Sequence, residues 1–113
     1  VRGTTSKRIV ALLRENGAKQ VYFVSAAPPV RHPCVYGIDM SVTTELVAAG
    51  KTEQEITAFI GADAVIFQDQ KDLESLFAQK SLCTACFSGN YPTHLTPDVL
   101  ADIMQDKERS RMG

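Results

Sequence analysis

The pattern of apolar and polar residues predicts a helix followed by a buried strand near the start of the chain. Between Lys7 and Glu15 apolar residues recur at helical spacing, and the Asn-Gly pair at 16–17 is typical of a helix end. The run Val21 to Ala27 is almost continuously apolar, which is typical of a strand buried on both faces of a parallel sheet. Together they form half of a β-α-β unit, so we expect a further strand before residue 1. The helix is expected to bury a stripe formed by Ile9, Val10, Leu12 and Leu13.

A proline-rich stretch follows the predicted strand. Ala27 to Asp39 contains three prolines, which exclude a helix across it. Loops at the carboxyl ends of parallel strands are where open α/β sheets bind ligands, and long loops are often functional. On sequence alone, this stretch is either a ligand-binding loop or a structural crossover.

The rest of the pattern predicts capped scaffold elements and a final helix. Thr52 and Glu55 have the spacing of a capping box, and Thr96 followed by proline is a strong start signal. The predicted elements are a short helix over 41–50 capped by Ser41, a helix over 52–61, a strand over 64–67, a helix over 69–78, and a helix from Thr96 that frays over 107–113.

Length, charge and cysteine count limit the class of protein. The 113 residues suffice for one small domain with a modest core, and a formal net charge of −1 gives no basic face for nucleic acid. No apolar run approaches the roughly 18–20 residues needed to span a membrane. Three cysteines fit a closed disulfide framework poorly, so we expect a cytoplasmic protein whose thiols are reduced or bound to metal.

The first six residues, VRGTTS, carry the first chemical signal. Gly3 permits a tight turn or a close approach to a ligand, and the next three residues supply hydroxyls and backbone N–H groups at a helix start. Such a start is either an ordinary helix cap or an anion site, and Arg2 adds a cation suited to phosphate.

Three cysteines carry the second signal. Cys83 and Cys86 are separated by two residues, a spacing that lets both sulfurs reach one metal, and Cys34 lies in the proline-rich stretch. His32 or His94 could complete a zinc site. A redox dithiol is disfavoured because turn residues, and not a helix, are predicted after Cys86. The thiols could also be small buried hydrophobes.

Four stretches occur together in this order: VRGTTS, HPCVYGID, FIGAD and CTACFSGNYP. In these stretches the chain resembles the glutamine phosphoribosylpyrophosphate amidotransferases, in the branch that carries an iron–sulfur cluster. The resemblance implies an α/β fold: a partial type I phosphoribosyltransferase, Rossmann-like, with a mostly parallel sheet, flanking helices, its first strands missing and a C-terminal helix. It divides the chain into part of the phosphoribosyltransferase domain over 1–95 and a C-terminal helix and tail over 96–113.

The resemblance also implies a function. That family makes 5-phosphoribosylamine from phosphoribosyl pyrophosphate (PRPP) and glutamine, the first step of de novo purine biosynthesis. The chain would be the C-terminal part of a larger protein. This part would begin inside the PRPP motif. Its partners would be PRPP and the rest of the parent chain, including a glutaminase domain, in a homo-oligomer without nucleic acid or membrane. The isolated chain is expected to be inactive, with no catalytic residue of its own.

The same resemblance assigns residues to two sites. The 5′-phosphate loop would comprise Arg2, Gly3, Thr4, Thr5 and Ser6. Three ligands of a 4Fe–4S cluster would be Cys34, Cys83 and Cys86, with the fourth outside this chain. Mg²⁺ would accompany PRPP, held by carboxylates that also lie outside it. Tyr36 to Asp39 match a family stretch without an assigned role, and a structural role is favoured for Asp39.

Two other functions remain open from the residues. The first is a non-catalytic, zinc-stapled module of the same fold that binds a phosphate or a partner protein. The second is a type I phosphoribosyltransferase that salvages a purine or pyrimidine base, which would share VRGTTS but not the cysteine-containing stretches.

Overall fold

A computed structural model describes residues 1–37, 42–78 and 81–113. The predicted cap Ser41 and the predicted structural residue Asp39 lie outside the described residues. The helices and strands in chain order are α1 (Thr4–Glu15), β1 (Tyr22–Ser25), a 3-10 turn (Thr43–Glu45), α2 (Glu53–Ile60), β2 (Ala64–Phe67), α3 (Gln70–Leu76), α4 (Ala85–Ser88) and α5 (Pro97–Met112). The short helix predicted over 41–50 is therefore, in its described part, a 3-10 turn followed by further turns.

The two described strands form a parallel sheet, as predicted. Tyr22 pairs with Ala64, and the register continues to Ser25 and Phe67. Parallel pairing requires a crossover between the strands, and α2, which packs on β2, lies within it. The core forms where α1, α2 and the sheet meet, and its most buried large side chains are Leu46, Ile56 and Val10.

One face of this sheet is open, which corrects the prediction of a strand buried on both sides. Tyr22 is 59% exposed and Val24 67% exposed, whereas the alternate residues of β1 are half-buried. The predicted stripe of α1 is likewise buried only at Val10, and Ile9, Leu12 and Leu13 each remain about half exposed. The reason is geometric: among the described residues α2 covers one side of the sheet, and no strand or helix covers the other.

Capping residues explain most of the helix limits. Thr52 and Glu55 form the predicted capping box, and Gly61 ends α2 in a left-handed conformation. The Thr96 side chain accepts a hydrogen bond from the Val99 N–H at the start of α5. Helix α1 begins three residues earlier than predicted, because Gly3 adopts a left-handed conformation (φ 76°) immediately before Thr4.

Two predictions about the C-terminal part were wrong. The turn expected after Cys86 is a one-turn helix, α4, which includes Phe87 and Ser88. The final helix does not fray after 107 but continues to Met112. Its last turns are held by side chains that reach other parts of the chain: Lys107 donates to the Cys34 carbonyl, and Arg111 pairs with Glu45.

Within the described residues, no helix combines the length and apolar character that crossing a bilayer requires.

Asp63 joins α1 to the sheet, and its charge should make stability depend on pH. Its Oδ2 accepts from the Val21 N–H at 2.7 Å and from Arg14 Nη2 at 2.9 Å. The Val21 hydrogen bond, followed by the Arg14 contact, lowers the pKa of Asp63 below its ordinary value of 3.8. A lowered carboxylate pKa gives stability that is complete above the unfolded value and is lost as pH falls through the folded value.

We therefore expect Asp63→Asn to lower the unfolding temperature at neutral pH. Because the wild-type carboxylate is itself protonated in acid, the difference between the two proteins should shrink below about pH 4. Thermal melts from neutral to acidic pH measure this difference, with the exposed Asp102→Asn as control. A difference that does not change with pH would contradict the assigned role.

Candidate functional site

The amino terminus of α1 forms a donor-rich end. Gly3 turns the chain, and its carbonyl accepts the Lys7 N–H at 2.9 Å, which closes the first helical turn. The N–H groups of Thr4, Thr5 and Ser6 precede the first residues that can find an intrahelical acceptor. The first turn carries no acidic side chain, so the positive end of the helix dipole is not neutralised there.

The segment 45–47 packs against this turn and forms a hydrogen bond with it. The Val47 N–H donates to the Val1 carbonyl at 3.0 Å. Gly3 is buried against the Val47 side chain: a Cβ at Gly3 would lie 2.8 Å from Val47 Cγ2 and 3.1 Å from Phe59 Cε1. Both the positive φ and the missing space therefore require glycine at this position.

Arg2 is paired across the same segment. Its Nε lies 3.5 Å from Glu45 Oε2, and the same oxygen lies 2.7 Å from Arg111 Nη1 at the end of α5. Sequence reasoning singled out Arg2 but missed Glu45 and Arg111. No local pattern could have found them, because the three residues are distant in sequence and meet only through folding.

A cavity of about 290 Å³ opens beside the turn, at the carboxyl ends of β1 and β2. Gly3 and Ser6 line one side, and Ser25 and Phe67 line the strand ends. Pro28 and Val30 bring the proline-rich loop to the same space, whose lining is mainly apolar. The structure thus places the start of this loop beside the turn, at the sheet edge where open α/β sheets bind ligands.

Further along, the proline-rich loop is attached to α4. The Arg31 and His32 N–H groups both donate to the Cys86 carbonyl at 3.0 Å. The Tyr91 hydroxyl donates to the Pro33 carbonyl at 2.7 Å. These bonds bring the segments of Cys34 and Cys86 together, as the prediction of one thiol site requires.

All three cysteines have free thiols. Burial raises the pKa of the Cys86 thiol, and charge on Cys34 and Cys83 raises it further. In the part of the chain that the structure describes, however, no three side chains of His, Cys, Asp or Glu are arranged to hold one metal ion. The His32 ring packs on Gly89, where an added Cβ would lie 3.0 Å from it, and His94 is exposed.

Two known proteins similar to this chain share the name amidophosphoribosyltransferase. No protein-family profile matches it. The amidophosphoribosyltransferase of Escherichia coli K12 is 50% identical over 99 aligned positions, and the match covers 82% of this chain and 19% of that protein. That of Bacillus subtilis is 43% identical over 106 aligned positions, and the match covers 88% of this chain and 22% of that protein. The chain is homologous to part of the amidophosphoribosyltransferases. It spans about a fifth of the length of these relatives.

Solved structures agree with the amidophosphoribosyltransferase homology. The glutamine PRPP amidotransferase of B. subtilis, complexed with ADP and GMP, superposes with a TM-score of 0.76 at 44% identity, over 87% of this chain and 23% of that one. A structure described as the allosteric regulatory enzyme of purine biosynthesis gives a TM-score of 0.79 at 42% identity, over 95% of this chain and 24% of that one. The predicted α/β class and the resemblance to part of this family are confirmed.

Proposed function

We propose that this chain is the segment of an amidophosphoribosyltransferase that binds the 5′-phosphate of PRPP. The observation that carries the proposal is the amino terminus of α1, where a left-handed Gly3 opens a helix beside a cavity at the strand ends. Backbone N–H groups at a helix start and nearby hydroxyls are the donors that a phosphate needs. The five residues of this loop are Arg2, Gly3, Thr4, Thr5 and Ser6.

In the proposed reaction, ammonia released from glutamine displaces pyrophosphate from C1 of the PRPP ribose. The loop residues of this chain bind and orient the 5′-phosphate, which fixes the position of C1. Their contribution is positioning, which lowers the barrier because the reacting groups lose their freedom of motion on binding. No residue of this chain is assigned to proton transfer or to Mg²⁺, which we propose accompanies PRPP on carboxylates elsewhere in the protein.

We also propose that Cys34, Cys83 and Cys86 ligate a 4Fe–4S cluster with a fourth ligand elsewhere in the protein. Thiolates are the usual ligands of such clusters, and the hydrogen bonds to the Cys86 carbonyl support a shared site. Each cysteine of a cluster binds a different iron, so the thiols need not converge on one point. A single zinc ion, which does require convergence, has less support from the described residues.

The cluster would tie the proline-rich loop to α4 and stabilise the fold. Thiols that must stay reduced support a cytoplasmic location.

PRPP-dependent release of pyrophosphate by the full-length protein tests the proposed function. We expect release with either glutamine or ammonia as the nitrogen source. Consumption of PRPP with a purine or pyrimidine base, and not with ammonia, would instead assign the chain to the base-salvage enzymes. No use of PRPP at all would reject both.

A further inference from the structure

Glu45 has an unusual position for an acidic residue beside a phosphate loop. A carboxylate near an anion site should repel the ligand unless its charge is taken up. Here the carboxylate lies between two guanidinium groups: Arg2 at 3.5 Å and Arg111 at 2.7 Å. The carboxylate of Glu45 therefore has two cationic partners.

The segment around Glu45 also restricts the backbone of residues 1–3. Glu45 ends the 3-10 turn, and Val47, two residues later, bonds the Val1 carbonyl and packs under Gly3. One short segment therefore contacts Val1 through the backbone, and contacts Gly3 and Arg2 through its side chains.

We infer that Glu45 is a positioning residue for the phosphate loop, and that Arg111 of α5 is its charge partner. Glu45 contacts Arg2 through Nε, the stem side of the guanidinium, and so limits the orientations of a long, mobile side chain. Arg111 makes the shorter contact to the same oxygen and offsets part of the negative charge of Glu45. This inference rests on the proposed function, because its effect is on phosphate binding through Arg2.

The test is a set of single and double variants of the full-length protein, measured as KM and kcat for PRPP. Arg2→Ala should raise the KM for PRPP about tenfold or more, as expected for loss of a charge-assisted bond to phosphate. Glu45→Gln should raise KM about three- to tenfold with kcat nearly unchanged, because binding and not chemistry is affected. In the Arg2→Ala background, Glu45→Gln should raise KM no further.

Arg111→Met should also raise KM, because it removes the Arg111 contact that holds the Glu45 carboxylate in place. The controls are Glu108→Gln and Arg109→Met, which change the same charges at exposed positions of α5. These two should leave KM unchanged.

The outcomes separate the two claims. If Arg2→Ala leaves KM unchanged, the assignment of Arg2 to the phosphate loop fails. If Arg2→Ala raises KM but Glu45→Gln lowers it or leaves it unchanged, the role of Glu45 is overturned. An equal effect of Glu45→Gln with and without Arg2 would also overturn it, since Glu45 would then act on folding and not through Arg2.

Discussion

Gly3→Ala should destabilise the full-length protein and weaken its binding of PRPP. Alanine at φ 76° costs about 1–2 kcal/mol in backbone conformation. Its Cβ would lie 2.8 Å from Val47 Cγ2, and overpacking of this kind costs about 1–3 kcal/mol. Valine is short and stiff at χ1, so it cannot turn away freely. We expect the free energy of unfolding to fall by about 2–5 kcal/mol in total.

The same change should raise the KM for PRPP by about tenfold or more, because any shift of Gly3 moves the helix start that receives the phosphate. Gly61→Ala is the matched control: its φ is 75°, but the nearest atom to its added Cβ is 4.0 Å away. It should show the backbone cost alone, with KM unchanged. Equal KM values for the two variants would contradict the phosphate loop assignment.

Cys86→Ser should remove the proposed cluster. The full-length protein, purified without oxygen, should contain about four irons and four acid-labile sulfides per chain. Serine cannot replace a thiolate as a soft ligand, so the variant should lose most of both, and Cys34→Ser should behave alike. Because metal binding and folding are coupled, thermal stability should fall with the metal content.

A control must separate loss of a ligand from disruption of α4. Ser88→Ala removes a side chain that bonds the Thr84 carbonyl and the Asn90 N–H in the same helical turn, but it leaves every thiol in place. It should keep its iron. One zinc ion and no sulfide per chain in the wild-type protein would favour the zinc-stapled module. If the wild-type protein contains no metal, the cysteines would be interpreted as small buried apolar residues.

The elements that sequence predicted best are those whose signals are local. The capping box at Thr52, the glycine that ends α2 and the strand over 64–67 were all predicted from neighbouring residues, because caps and turns depend on their own side chains. The motif order also identified the homology, since each stretch is short and contiguous.

The errors have a common cause in tertiary structure. A continuous apolar run such as Val21 to Ala27 indicates burial on two faces, but burial depends on what packs against the strand, and Val24 remains exposed here. The length of α5 depended on Lys107 and Arg111, whose partners are far away in sequence. Glu45 could not be found for the same reason: its charge partners are brought to it only by the fold.

Amide hydrogen exchange at the start of α1 tests the central claim most directly. In the full-length protein, saturating ribose 5-phosphate should slow exchange at the amides of Thr4, Thr5 and Ser6, because the phosphate would accept their hydrogen bonds. Ribose without the phosphate should have no such effect. Slowed exchange elsewhere in the protein, with unchanged exchange at the start of α1, would contradict the account.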